Sequence, residues 1–237
     1  GRETDAAVTG WPSGPPPLVS AVTKPTVPAE TSKIMKNHQK YFPVFKNKRF
    51  TKLDSNFIFV AGSPFLDKRV VVSGNEKVIR ARLNDAQFFY QEDKKVGLEK
   101  LSEKLENITF IDGIGSYKDK SKRILATTEE LLRKFNMDSK DLGVNTETCC
   151  NLLKADLSSQ MVYEFPELQG IMGKYYYQDF NKEIAKIIEE HYLPRGRNDM
   201  LPKEFLSQII SISDKFDTIS CCFYLNLKPT GSSDPYG

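Results

Sequence analysis

The chain has 237 residues, 39% of them hydrophobic, which is enough apolar material for one large or two small cores. Lysine and arginine exceed aspartate and glutamate by only three, 34 against 31, so any basic function is local. This composition excludes a disulfide-stapled miniprotein, a collagen-like chain and a disordered one; no apolar run approaches the roughly 18 to 20 residues that cross a bilayer, and the start of the chain lacks the charged and apolar blocks of a secretory signal.

Residues 1–30 hold Trp11-Pro12, Pro15-Pro16-Pro17, Pro25 and Pro28 with little apolar periodicity. They read as an extended, partly mobile lead-in. Residues 31–73 read as a small β-rich basic segment, with the clusters Tyr41 to Phe45, Phe57 to Val60 and Val70 to Val72 predicting short strands. From Gly74 the period becomes helical: Ile79, Leu83, Ala86 and Tyr90 share one face, opposite Arg80, Arg82 and Asp85. Shorter helices follow on Leu98, Leu101 and Leu105, then on Ile124, Leu131, Leu132 and Phe135, the latter after a capping-box pattern at Ser116-x-x-Asp119.

The second half reads as a helical bundle. A helix over about residues 146–164 stacks Leu153, Leu157 and Met161, and Pro166 opens the next. Ile184, Ile187, Ile188 and His191 form another stripe, and Phe205, Ile209, Ile212, Phe216, Ile219 and Phe223 form the longest. The predicted class is therefore α+β, mainly α, with a small N-terminal β-containing portion.

The four cysteines occur as Cys149-Cys150 and Cys221-Cys222 on apolar helix faces, without the Cys-x-x-Cys spacing of zinc or redox sites. Buried free thiols are expected, in keeping with a reducing bacterial cytoplasm or organelle interior. Gly113-Ile114-Gly115 lacks the third glycine of a dinucleotide site and reads as a turn.

The densest charge asymmetry is Lys33, Lys36, Lys40, Lys46, Lys48, Arg49 and Lys52, without an intervening acid and interleaved with Tyr41, Phe42, Phe45 and Phe50. Cations that neutralise phosphates beside aromatic faces that stack on bases suit nucleic acid; a solvated strand edge guarded by lysines is the other reading. Histidine is scarce, with His38 and His191 alone, and helical spacing allows Asp156, His191 and Asp214 to meet in the bundle core. Three such ligands are few for a hydrolytic metal centre.

Four ordered blocks resemble one family. They are Ile34 to Phe42 (IMKNHQKYF), Gly74 to Phe89 (GNEKVIRARLNDAQFF), Leu153 to Leu157 (LKADL) running into Glu164 to Gly173 (EFPELQGIMG), and Leu227 to Pro235 (LKPTGSSDP). Together they resemble the β subunit of the two-subunit, bacterial-type glycyl-tRNA synthetase. The resemblance implies a central fragment of a longer subunit that binds the tRNA for glycine and docks on the α subunit, with a second β subunit in an α2β2 assembly. It implies no catalytic residue, metal or cofactor in this fragment, since ATP with magnesium is used by the α subunit. Lys33, Lys36, His38, Lys40, Lys46, Lys48, Arg49, Lys52, Arg80 and Arg82 are the candidate tRNA contacts.

Residues 74–237 also resemble the HD phosphohydrolase superfamily, with Asp156, His191 and Asp214 at vestigial positions. Ala155 stands where the histidine of the His-Asp pair would be, and no histidine lies between His38 and His191. The resemblance implies an HD-like bundle without its hydrolytic centre; the alternative function is a metal-dependent HD-type phosphohydrolase using those three residues.

Overall fold

The computed structural model describes residues 18–21, 41–46, 53–60, 67–137 and 144–227. The chain divides into two compact units, residues 1–88 and 89–237. In the first, β1 (Leu18–Ala21), β2 (Phe42–Phe45) and β3 (Leu53–Phe59) make an antiparallel sheet in the order β1-β3-β2. Alternation along β3 turns Phe57 and Phe59 into a core with Tyr41, completed by Ile79 and Leu83 from helix α1 (Lys68–Val96). Tyr41 stands edge-on to both phenylalanines, 5.3 and 5.9 Å between ring centres, and its hydroxyl donates to Asn75 Oδ1.

Val70, Val71 and Val72 correct the sequence reading, because they belong to the first turns of α1 rather than to a strand. Val71 and Val72 pack against that same core, so tertiary contact decides their state over the β preference of valine.

In the second unit α1 ends where Gly97 adopts φ 83°, ψ 150°, a conformation closed to residues with a Cβ. Helix α2 (Leu98–Glu103) and a 3-10 turn (Lys104–Asn107) bury Leu98, Leu101 and Leu105, as the spacing predicts. The hairpin β4 (Thr109–Ile111) and β5 (Gly115–Ser116) turns at Gly113 and leads into α3 (Tyr117–Lys134). The capping box forms: Asp119 N–H donates to Ser116 Oγ at 3.2 Å and Ser116 N–H to Asp119 Oδ2 at 3.0 Å.

The single helix expected over 146–164 is three pieces: α4 (Thr146–Leu152), a 3-10 turn (Ala155–Ser158) and α5 (Gln160–Glu164). The break falls at Lys154, held at φ 64°. Pro166 opens a 3-10 turn (Pro166–Leu168), followed by α6 (Ile171–Tyr177), α7 (Lys182–Glu190) and α8 (Phe205–Tyr224). Ile184, Ile187, Ile188 and His191 are buried as a stripe, and Cys149, Cys150 and Cys221 are buried free thiols with Cys222 half-buried.

Helix α8 forms where the sequence places it, but with its faces exchanged. Ile209 is buried, whereas Ile212, Phe216, Ile219 and Phe223 are exposed and Asp214, Asp217 and Ser213 point inward. The inward aspartates meet ammonium groups there, a pairing that apolar periodicity does not register.

Candidate functional site

The polar centre of the second unit begins with two lysines that are almost fully buried, Lys120 on α3 and Lys154 at the break after α4. Lys154 Nζ lies 2.7 Å from Asp214 Oδ2, and Lys120 Nζ lies 3.0 Å from Asp214 Oδ1 and 3.1 Å from Asp217 Oδ2. Arg123, one turn along α3, adds its Nε at 2.5 Å from Asp217 Oδ1. Lys120 also donates to Thr218 Oγ1 at 2.7 Å. Both ammoniums face aromatic rings: Lys154 is 3.8 Å from the centre of Tyr192, and Lys120 is 4.3 Å from that of Phe110.

Isolated charges do not survive burial, so this arrangement is stable only as a paired set. Burial alone would raise the Asp214 carboxyl; Lys154 and Lys120 outweigh it and hold that carboxyl well below the usual range. Burial lowers the Lys154 ammonium, and Asp214 restores part of the loss. The left-handed backbone of Lys154 has its explanation here, because strain of about 1–3 kcal/mol persists only where the surroundings over-determine it.

Asp156 plays a different part. It is fully buried, and its Oδ2 accepts from the N–H groups of Gly170 at 2.5 Å and Gly173 at 3.0 Å, tying the 3-10 turn to the start of α6. The motif glycines are required by space. A Cβ on Gly170, which sits at φ 79°, would come 2.5 Å from the Tyr192 ring, and one on Gly173 would come 2.6 Å from Ile188 Cγ2. Burial raises the Asp156 carboxyl, with the two N–H donors and Lys154 opposing.

His191 Nδ1 lies 2.6 Å from the Ile188 carbonyl, which can only accept, so Nδ1 carries the proton and Nε2 is left without a partner. Burial first, then the Lys154 ammonium, push this imidazole well below its ordinary pKa. It is neutral.

Asp156, His191 and Asp214 are thus gathered around Lys154, which feels the charge of both aspartates and is felt by His191. The donor set does not fit a divalent ion. Lysine ammoniums supply the cationic charge beside Asp214, and no group of three or more His, Cys, Asp or Glu among the described residues is placed to hold a metal. The sequence reading missed Lys120, Arg123, Lys154, Asp217 and Tyr192. One sign was available: Lys120 precedes buried Ile124 by four residues, on the apolar face of α3.

Of the basic candidates, Lys46 is exposed just after β2, and Arg80 and Arg82 are exposed on α1. Two positions apart on a helix, the arginines diverge by about 200° and so face different directions. Lys33, Lys36, His38, Lys40, Lys48, Arg49 and Lys52 lie outside the described residues.

A second buried carboxylate organises the start of α5. Asp93, near the end of α1, accepts from the N–H groups of Gln160 and Met161 at 2.9 Å each and from the Tyr176 hydroxyl at 2.9 Å. Ser159 Oγ takes the Val162 N–H at 3.1 Å, so the opening donors of α5 are met by two side chains.

Fold and centre together define a mainly helical α+β protein whose polar core is closed by lysine–aspartate pairs. The chain belongs to the glycyl-tRNA synthetase beta subunit family, whose model matches residues 26–237. It is 42% identical over 211 residues to the glycine–tRNA ligase beta subunit of Trichodesmium erythraeum, covering 87% of this chain and 29% of that protein. The corresponding subunit of Acaryochloris marina is 44% identical over 204 residues, 85% of this chain and 28% of its own. That of Bacillus subtilis is 42% identical over 205 residues, 86% and 30%. The chain therefore spans under a third of the length of these relatives.

Proposed function

We propose that this chain is the central region of a glycyl-tRNA synthetase β subunit, and that it contributes tRNA binding and α-subunit docking to glycine–tRNA ligation without forming the aminoacylation site. The observation that carries this reading is the family match across residues 26–237. The acid-free basic stretch and exposed Arg80 and Arg82 support it, since cations at these positions neutralise phosphates. On this reading ATP and magnesium belong to the α subunit. The phosphohydrolase alternative finds no support in a centre whose cationic charge is supplied by lysines.

The test is binding of the chain to glycine tRNA and to an unrelated tRNA over a salt series at fixed magnesium. Preference for glycine tRNA should survive near-physiological salt. Lys36→Glu with Lys40→Glu should weaken binding and flatten the salt dependence, by roughly 0.9 in log–log slope for each lost phosphate contact. Unchanged affinity and slope would remove the basic stretch from the interface.

A further inference from the structure

Helix α8 buries a face of mixed polarity and leaves an apolar face exposed among the described residues. Its inner face is occupied by Ile209, Ile210, Asp214, Asp217 and Cys221. On the outer face Ile212 is 55% exposed, Phe216 59%, Ile219 55% and Phe223 79%. The stripe continues towards Phe205, whose ring stands edge-on to exposed Phe135 at 5.7 Å. A contiguous row of large apolar side chains is uncommon on a finished protein surface and marks something that covers it.

The spacing says what kind of partner fits. Positions 212, 216, 219 and 223 step by four, three and four, the seam of a left-handed helix pair, which another helix with the same repeat fills by interdigitation. The flanking residues Gln208, Ser220 and Tyr224 are uncharged, and the Lys215 ammonium is turned to the Leu193 carbonyl at 2.8 Å and Ser211 Oγ at 3.0 Å. Such a face offers nothing to phosphates, and it lacks the basic flanks of a lipid-binding helix.

We propose that an amphipathic helix of the same subunit, drawn from the part of the polypeptide that the relatives carry outside the matched region, lies along Ile212, Phe216, Ile219 and Phe223 of α8. The matched region is 29% of the Trichodesmium erythraeum subunit, so most of such a subunit lies elsewhere and is available to supply it. A helix from the same chain reaches the seam at high effective concentration, which lets two heptads suffice where a free partner would need a larger interface.

The experiment uses the full-length subunit with its α partner and tRNA present. A photoreactive benzoylphenylalanine replaces Phe216 or, separately, Phe223, both conservative in shape at exposed positions. On irradiation the cross-link should map within the same polypeptide, to a segment outside these 237 residues with apolar residues at three- and four-residue steps. Phe216→Asp should lower the melting temperature of the full-length subunit by several degrees. Cross-links to a second copy, to the α subunit or to tRNA, or no cross-link together with an unshifted melting temperature, would overturn the proposal.

Discussion

Lys154 holds the charge balance of the polar centre, and its removal exposes what the pairing is worth. Lys154→Met leaves Asp214 with Lys120 alone, 3.0 Å from Oδ1. Breaking a buried pair from one side costs about 3–5 kcal/mol, whereas removing both partners costs much less. Urea unfolding should show Lys154→Met as strongly destabilised and Lys154→Met with Asp214→Asn as partly recovered; additive losses would mean the pair is not coupled. His191 supplies a pH signature. Lys154, Asp214 and Lys215 all act on it, and its folded pKa lies well below the ordinary 6.5, so the unfolded chain takes up the proton first. Stability should fall as pH drops below about 6.5, by up to about 1.4 kcal/mol per pH unit. Asp214 runs at a lower window: its carboxyl is depressed, so its contribution is present above about pH 3.9 and is lost beneath it. Denaturant midpoints at pH 7.5, 6.5 and 5.5 test the histidine, since His191→Gln should flatten the decline and leaves His38 the same in both proteins.

Two elements give opposite signs for small changes. Gly74 lies inside α1 with nothing within 4 Å of where a Cβ would stand, so Gly74→Ala should stabilise by about 0.5–1 kcal/mol, read as a higher melting temperature. Gly170→Ala should do the reverse, because its Cβ would meet Tyr192 at 2.5 Å and its φ is positive. At the start of α5, Asp93→Asn replaces a charged acceptor of two backbone N–H groups with a neutral amide and should cost about 1.5–3 kcal/mol. Tyr176→Phe deletes only the third donor and should cost about 1 kcal/mol. The sequence shows the local part of these elements and not the long-range part. Ser116 and Asp119 are three residues apart, and their capping box is legible. Asp93 caps a helix that starts 67 residues later, so nothing in its own neighbourhood announces the role.

Across the whole molecule the same limit explains the reversal of α8. An apolar count ranks Ile212, Phe216, Ile219 and Phe223 above Asp214 and Asp217, yet the inward face is set by Lys120 and Lys154, 94 and 60 residues from Asp214. Asp156, His191 and Asp214 were legible as a cluster, while the lysines among them were not, because an ammonium on an apolar face is ordinarily read as solvated. Buried and exposed cations should therefore separate by experiment. Arg82→Glu alters an exposed position of a helix whose Ile79, Leu83 and Ala86 do the packing, so the melting temperature should move little. If Arg82 meets a phosphate, tRNA affinity should drop and the log–log salt slope should shrink by about 0.9. Lys154→Met should do the converse, with a lower melting temperature and, in the fraction that remains folded, the parental salt slope. A salt slope that followed Lys154 instead would place the buried cluster within reach of the nucleic acid and overturn its assignment as an internal counterion set.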